Sequence, residues 1–286
     1  DHRDLHSFPT RRSSDLSYYT SQASIHLGQH HFYSGNFAEG IKAFETTYKD
    51  ATLIRQMYRY ASNPISQLTG STEKAKTGTK LADEFIAYIN RQMPRDLSLD
   101  SNKARARDFY YTIAGIHSHA RRDQEGLAIY TQLGKLIGVD DNLRGKQAAW
   151  HRGRKRYGDA RKIYTQYADR EAGLAATADT WREEKKWNES VNTYQQLIGL
   201  DSGKEGQWQQ AILGVWREAR QWDKAIETYQ VLLRVVPAKF GDWYWGIGDC
   251  YERLGKLKEA IGSYQQSDKY PKVYFAMASC HRRLKQ

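Results

Sequence analysis

The sequence predicts an all-α fold, an α-solenoid of stacked helical hairpins, and two observations carry that prediction. The first is an interval of 35 residues in the C-terminal third. Trp181 is matched by Trp216, Trp187 by Trp222, Ser190 by Ala225 and Tyr194 by Tyr229, and the last pair recurs as Ala260 and Tyr264. A fixed period of this length marks supersecondary units that bury their apolar faces on their neighbours. The second is a small residue followed four positions later by a large apolar one. It reads Gly40 and Phe44, Ala82 and Ile86, Gly126 and Tyr130, Ala160 and Tyr164, Ser190 and Tyr194, Ala225 and Tyr229, Ala260 and Tyr264. Positions i and i+4 share a helix face. The small side chain lets two helices approach closely, and the neighbouring ring fills the space beside that contact.

Each hairpin follows in order. The first carries Gly28, Gly35, Phe37 and Phe44. The second is degenerate: residues 62–79, SNPISQLTGSTEKAKTGT, are rich in Gly, Ser and Thr around Pro64 and read as a loop or irregular insertion. Its second helix runs from about Leu81 to Met93 and stops at Pro94, with Ile86 standing where an aromatic is expected. The third hairpin has Gly126 and Tyr130. Between the fourth and fifth the interval shrinks to 30 residues, which implies a shortened helix or loop after Tyr167. The sixth has Trp216, Ala225, Tyr229 and a closing Pro237. The seventh is the most regular: residues 241–271 read GDWYWGIGDCYERLGKLKEAIGSYQQSDKYP, with Gly248, Tyr251, a turn Gly255, Ala260, Tyr264 and a closing Pro271. Beyond it, Tyr274, Met277, Ala278 and His281 match Tyr244, Ile247, Gly248 and Tyr251. A C-terminal helix therefore follows, as a cap or as the first helix of another repeat in a longer protein.

These landmarks resemble the tetratricopeptide repeat. The resemblance implies about seven antiparallel hairpins over residues 17–286, wound as a right-handed solenoid whose first helices line a concave groove. In that family the second, fifth, ninth and twelfth positions of the first helix project inward. The twelfth position here reads Phe32, Ser118, Arg152, Arg182, Arg217, Glu252 and Arg282; the fifth reads Ile25, Tyr111, Gly145, Ala175, Gln210, Trp245 and Phe275. Arg152, Arg182, Arg217 and Arg282, with Asp249 at a ninth position and Trp245 and Phe275 as aromatic anchors, are the candidate partner-binding residues. Guanidinium forks beside aromatic side chains suit carboxylates and extended peptides. The same arginines could instead pair with Glu183, Glu184 and Glu218, and both readings stay open. One subfamily clamps a C-terminal carboxylate with Lys at the fifth position and Asn at the ninth. Here the fifth is never Lys, and the ninth reads Gln29, Gly115, Ala149, Asp179, Gly214, Asp249 and Ser279.

Residues 6–16, HSFPTRRSSDL, back-translate to a common sequencing-library adapter. Residues 1–16 are therefore set aside as a non-native leader. The native N-terminus is then unknown, and the compartment is left open.

The chain has 286 residues and a formal net charge of +11. The leader contributes nothing to it, since Arg3, Arg11 and Arg12 offset Asp1, Asp4 and Asp15. Such an excess favours acidic partners: an acidic peptide, nucleic acid or an anionic surface. The only cysteines, Cys250 and Cys280, hold the same helical position in successive hairpins. Helices packed roughly 8–10 Å apart leave them too distant for an easy disulfide, so two buried thiols are expected. No run of eighteen apolar residues occurs.

Motifs for chemistry are missing. Residues 70–80 lack the Gly-Lys-Ser/Thr ending of a phosphate loop, and there is no Gly-x-Ser-x-Gly, His-Glu-x-x-His or Cys-x-x-Cys. His26 and His30 share a helix face without an acid or thiolate nearby in sequence. His31, His117, His151 and His281 recur at one packing position and read as half-buried structural residues. No enzyme, cofactor or metal is expected. The expected function is a protein-interaction scaffold holding a peptide or partner subunit in its groove, alone or within a larger assembly. RNA binding and a regulatory domain of a longer enzyme are the alternatives.

Overall fold

Each well-formed hairpin closes on the same turn. One residue after the first helix sits in the left-handed region: Gly35 (φ 73°), Arg121 (60°), Lys155 (58°), Lys185 (61°), Arg220 (55°) and Gly255 (75°). The next amide donates to the carbonyl five residues back, as from Asn36 to His31, Lys186 to Trp181 and Lys256 to Tyr251, each at 2.9 Å. This Schellman closure satisfies the carbonyls that a helix end leaves open. The same residue then starts the second helix. Its carbonyl accepts from the amide of the small residue: Asn36 from Gly40 (3.2 Å), Lys186 from Ser190 (3.1 Å) and Lys256 from Ala260 (3.0 Å). Turn and close-contact position are thus locked together. The four non-glycine turns bear a left-handed cost of about 1–2 kcal/mol per residue, partly offset because a cation there complements the helix C-terminus.

A computed structural model of the chain describes residues 13–285, among which there are fifteen α-helices and no strand. The chain divides into two units, Asp1–Val139 and Asp140–Gln286. The first holds three hairpins: α1 (Ser13–Tyr33) with α2 (Phe37–Glu45), α3 (Asp50–Gly70) with α4 (Ala75–Arg91), and α5 (Asp100–His119) with α6 (Asp123–Ile137). The second holds four: α7 (Asp141–Gly153) with α8 (Tyr157–Tyr164), α9 (Arg170–Glu183) with α10 (Trp187–Leu200), α11 (Glu205–Glu218) with α12 (Trp222–Val235), and α13 (Phe240–Arg253) with α14 (Leu257–Gln265). The last helix is α15 (Lys272–Arg283). Seven hairpins and a final helix match the expected architecture. Residues 1–12, most of the segment expected to be a non-native leader, lie outside the described residues; residues 13–16 belong to α1.

The cores form where the register places them. Gly40, Ala82, Gly126, Ala160, Ser190, Ala225 and Ala260 are all buried. So are Phe44, Tyr130, Tyr164, Tyr194, Tyr229 and Tyr264. Burying one large apolar side chain contributes about 1.5–3 kcal/mol, so these columns are a main source of stability. In the second hairpin the column shifts by one residue. Phe85 is fully buried while Ile86 only packs against the core edge.

Three expectations need correction. The loop around residues 62–79 is helical up to Gly70 and again from Ala75, with Pro64 inside α3. Met57, Ala61, Ile65 and Leu68 form one buried stripe at helical spacing, and that burial outweighs the local cost of the proline. The glycine that suggested a loop serves a helix crossing instead: a Cβ on Gly78 would lie 2.5 Å from the Thr69 backbone nitrogen. Second, Phe32 and Ile25 are buried and do not face a groove. Gly40 lacks the Cβ that would collide with the Phe32 ring, so Phe32 turns into the core and stacks on Phe44 at 5.6 Å. Third, His31, His117 and His151 are half-buried, but His281 on α15 is exposed.

Candidate functional site

In the C-terminal unit the twelfth-position residues form a ladder of ion pairs between successive first helices. Arg152 of α7 donates to both carboxylate oxygens of Glu183 on α9, its Nε at 3.1 Å from Oε2. Arg182 of α9 donates from Nε to Glu218 of α11 at 2.5 Å. The last rung reverses polarity, with Arg283 of α15 donating to Glu252 of α13 at 2.6 Å. Arg161 binds Glu184 at 2.8 Å and lies over the Trp181 ring at 3.3 Å. The Arg152 guanidinium is held charged, first by its hydrogen bonds to Glu183 and against the desolvation of burial.

The rung from α11 to α13 is broken. Position twelve of α11 is Arg217, and position thirteen of α13, where the ladder calls for an acid, is Arg253. Arg253 instead binds Asp249 on its own helix at 3.0 Å. Arg217 therefore has no carboxylate partner among the described residues, and neither does Lys239. Both line a cleft of about 410 Å³ with Tyr229, Trp243, Trp245 and Asp249. Asp242 at its edge is neutralised by Lys269 at 2.7 Å. A smaller recess of about 230 Å³ adjoins it, sharing Asp242 and Trp245 and adding Lys272. Trp245 packs against Tyr264 at 5.0 Å, which fixes the indole as a wall between the two.

Of the expected site residues, Arg217, Trp245 and Asp249 come together in this cleft. Arg152 and Arg182 lie on the same ladder but are engaged by Glu183 and Glu218. Phe275 is 73% exposed on α15 and Arg282 is exposed beside its end; neither lines the cleft. Tyr229, Lys239 and Lys272 were absent from the sequence-derived set. Tyr229 belongs to a core column by register, and the signal that sets it apart is Gly214 at the ninth position of its hairpin.

The tyrosine column shows the contrast. Tyr194 donates to Asp179 at 2.6 Å, Tyr264 donates to Glu252 at 3.0 Å, and Tyr164 accepts from Arg152 at 3.3 Å. Burial pushes the Tyr194 and Tyr264 phenols up, and the hydrogen-bonded carboxylates push the same way. Burial pushes Tyr229 up to about 12, while the nearby Arg217 charge works in the opposite direction. Burial also raises the Cys250 thiol to about 11, which keeps it a neutral packing group. Cys250 and Cys280 are both free and buried.

The N-terminal unit has its own cleft of about 440 Å³ between α3 and α5, floored by Ile54, Tyr58, Phe109 and Tyr111 and rimmed by Arg55 and Arg105. No group of three or more His, Cys, Asp or Glu able to hold a metal occurs among the described residues. No described helix is long and apolar enough to cross a membrane.

The tetratricopeptide-repeat family profile matches residues 217–273, which span α12, α13 and α14 and contain the cleft's aromatic walls. No curated protein matches the chain. Solved structures that match the chain include MamA from AMB-1, with 13% identity over 61% of this chain and 94% of that one at a TM-score of 0.38. YrrB, described as a TPR protein with an unusual peptide-binding site, has 10% identity over 61% of this chain and 91% of that one at 0.38. The TPR2AB domain of yeast Sti1, solved in complex with pHSP90, has 10% identity over 94% of this chain and 100% of that one at 0.31. The profile lies on the most regular hairpin, so residues 217–273 match the tetratricopeptide repeat, and the closing turn and close-contact position of that stretch are repeated along the other helices.

Proposed function

We propose that the chain is a protein-interaction scaffold that holds an acidic peptide segment along α11, α13 and α15 of the C-terminal unit. One observation carries this reading: the ion-pair ladder breaks at a single rung, leaving Arg217 and Lys239 unpaired beside Trp243 and Trp245. On the other rungs Arg152, Arg182 and Arg283 are already spent on neighbouring carboxylates. At the broken rung the acid must come from outside. Trp245 offers an apolar wall at its centre, and Lys272 extends the basic lining beyond it. Aromatic anchors ringed by cations suit a segment with an apolar side chain flanked by Asp or Glu.

The geometry favours this over RNA. Base stacking needs open aromatic faces, and here Trp150, Trp181, Trp216 and Trp222 each carry a cation over the ring, from Arg154, Arg161, Lys224 and Arg253.

The test compares two double variants with an amidated, dye-labelled peptide of alternating Glu and Phe. Arg217→Ala with Lys239→Ala should weaken binding about tenfold or more, a change of ~1.4 kcal/mol or more, and the wild-type affinity should fall as salt rises. Arg152→Ala with Arg182→Ala should change binding far less. Equal binding by the first double variant and the wild type overturns the proposal. So does tighter binding of a mixed single-stranded RNA pool than of the peptide at physiological salt.

A further inference from the structure

Tyr229 is the exception in its column. In the flanking hairpins the tyrosine hydroxyl is satisfied from the first helix of its own hairpin: Asp179 at the ninth position serves Tyr194, and Glu252 at the twelfth serves Tyr264. For Tyr229 the ninth position is Gly214, with no side chain, and the twelfth is Arg217, which only donates. The ring is 3% exposed. It packs on Trp243 at 6.0 Å and against Gly246, where a Cβ would fall within 2.3 Å of the hydroxyl oxygen. The hydroxyl reaches the cleft and has no hydrogen-bond partner among the described residues. The hydroxyl opens on the cleft and is free to donate to a ligand there, and it shares that cleft with an unpaired guanidinium.

We infer that the Tyr229 hydroxyl and the Arg217 guanidinium form one seat for a single carboxylate of the bound peptide, Tyr229 donating to one oxygen and Arg217 to the other. The inference rests on the peptide-groove reading above and adds what anchors the peptide. Burial keeps the phenol protonated at neutral pH, so the donor is always available. Asp249 faces the same cleft, but Arg253 holds it at 3.0 Å, and Lys269 holds Asp242 at 2.7 Å. The field at the seat is therefore set by Arg217 and Lys239. A carboxylate fits it whether it comes from an Asp or Glu side chain or from a chain terminus.

Three peptides sharing one Phe-containing apolar segment separate these sources: one with a free C-terminus and no acidic side chain, one amidated with a single Glu, and one amidated with Gln in its place. Binding is read by fluorescence anisotropy on the full chain and on Tyr229→Phe, Tyr194→Phe and Arg217→Ala. Phe keeps the ring packing, and unchanged circular dichroism verifies the fold. Tyr229→Phe should weaken the carboxylate-bearing peptide about tenfold or more, as expected for a hydrogen bond to a charged group. It should leave the Gln peptide unchanged, and Tyr194→Phe should change none of the three. Whichever of the first two peptides responds identifies the source. If Arg217→Ala weakens binding and Tyr229→Phe does not, the seat is refuted and the groove stands. If neither variant matters, or neither carboxylate peptide binds the wild type, both readings fall.

Discussion

One chemical change, Gly to Ala, should have opposite signs at two positions fourteen residues apart. Gly248 lies inside α13, and a Cβ there would sit 2.5 Å from two ring carbons of Tyr264 and 3.0 Å from a third. The ring has nowhere to go: Tyr264 is 2% exposed and its hydroxyl is tied to Glu252 at 3.0 Å. Overpacking of this kind costs about 1–3 kcal/mol. Alanine's helix propensity returns about 0.8–1.0 kcal/mol, so Gly248→Ala should destabilise by up to about 2 kcal/mol. Gly262 lies inside α14 with nothing within 4 Å of an added Cβ. Only the propensity term applies, and Gly262→Ala should stabilise by up to about 1 kcal/mol. Urea melts followed by circular dichroism measure both. Since a repeat array can unfold in segments, tryptophan fluorescence, which samples this region through Trp243 and Trp245, serves as a second probe. Shifts in the same direction would refute the assigned close contact between α13 and α14.

Two further outcomes test the turn and the loop chemistry. Gly255 adopts φ 75° with open space around it, so Gly255→Ala should lose about 1 kcal/mol by strain alone; Lys185→Gly at φ 61° should gain roughly 0.5 kcal/mol once glycine's greater unfolded freedom is subtracted. Equal and negligible shifts in thermal melts would remove the turn from the account of stability. Asp141 accepts from the amides of Asp169 and Ala168, each at 3.0 Å, and from Arg144. Those backbone hydrogen bonds, led by Asp169, hold its carboxyl below the usual carboxylate range. Its contribution is therefore present above the unfolded pKa of about 4 and is lost as pH falls through the lower folded value. Melting temperatures of the wild type and Asp141→Asn should differ at pH 7 and converge as pH drops below that range; a gap independent of pH would contradict the assignment.

The repeat register was legible because its cause is local and recurrent. Gly40 to Ala260 mark helix contacts made by residues four apart, and the same solution appears hairpin after hairpin, so periodicity alone exposes it. The second hairpin was misread for the opposite reason. Residues 62–79 look like a loop by composition, yet Ile65 and Leu68 are buried and Thr69 donates to the carbonyls of Ile65 (2.7 Å) and His119 (3.1 Å). The second of those bonds ties α3 to a residue fifty positions away, which local composition does not weigh.

The groove divides in the same way. The sequence, through its resemblance to the tetratricopeptide repeat, implied that arginines recur on one face of the first helices and that Trp245, Asp249 and Arg217 share it, because the repeat register assigns each of them an inward position. Tertiary structure decided which arginines are spent. Glu183 and Glu218 lie 31 and 36 residues from their partners, within reach only after one hairpin has stacked on the next. The same stacking leaves Arg217 opposite Arg253 and the Tyr229 hydroxyl opposite Gly214. An unpaired group is defined by what does not come near it, and that depends on the packed neighbours, not on the residue's own place in the chain.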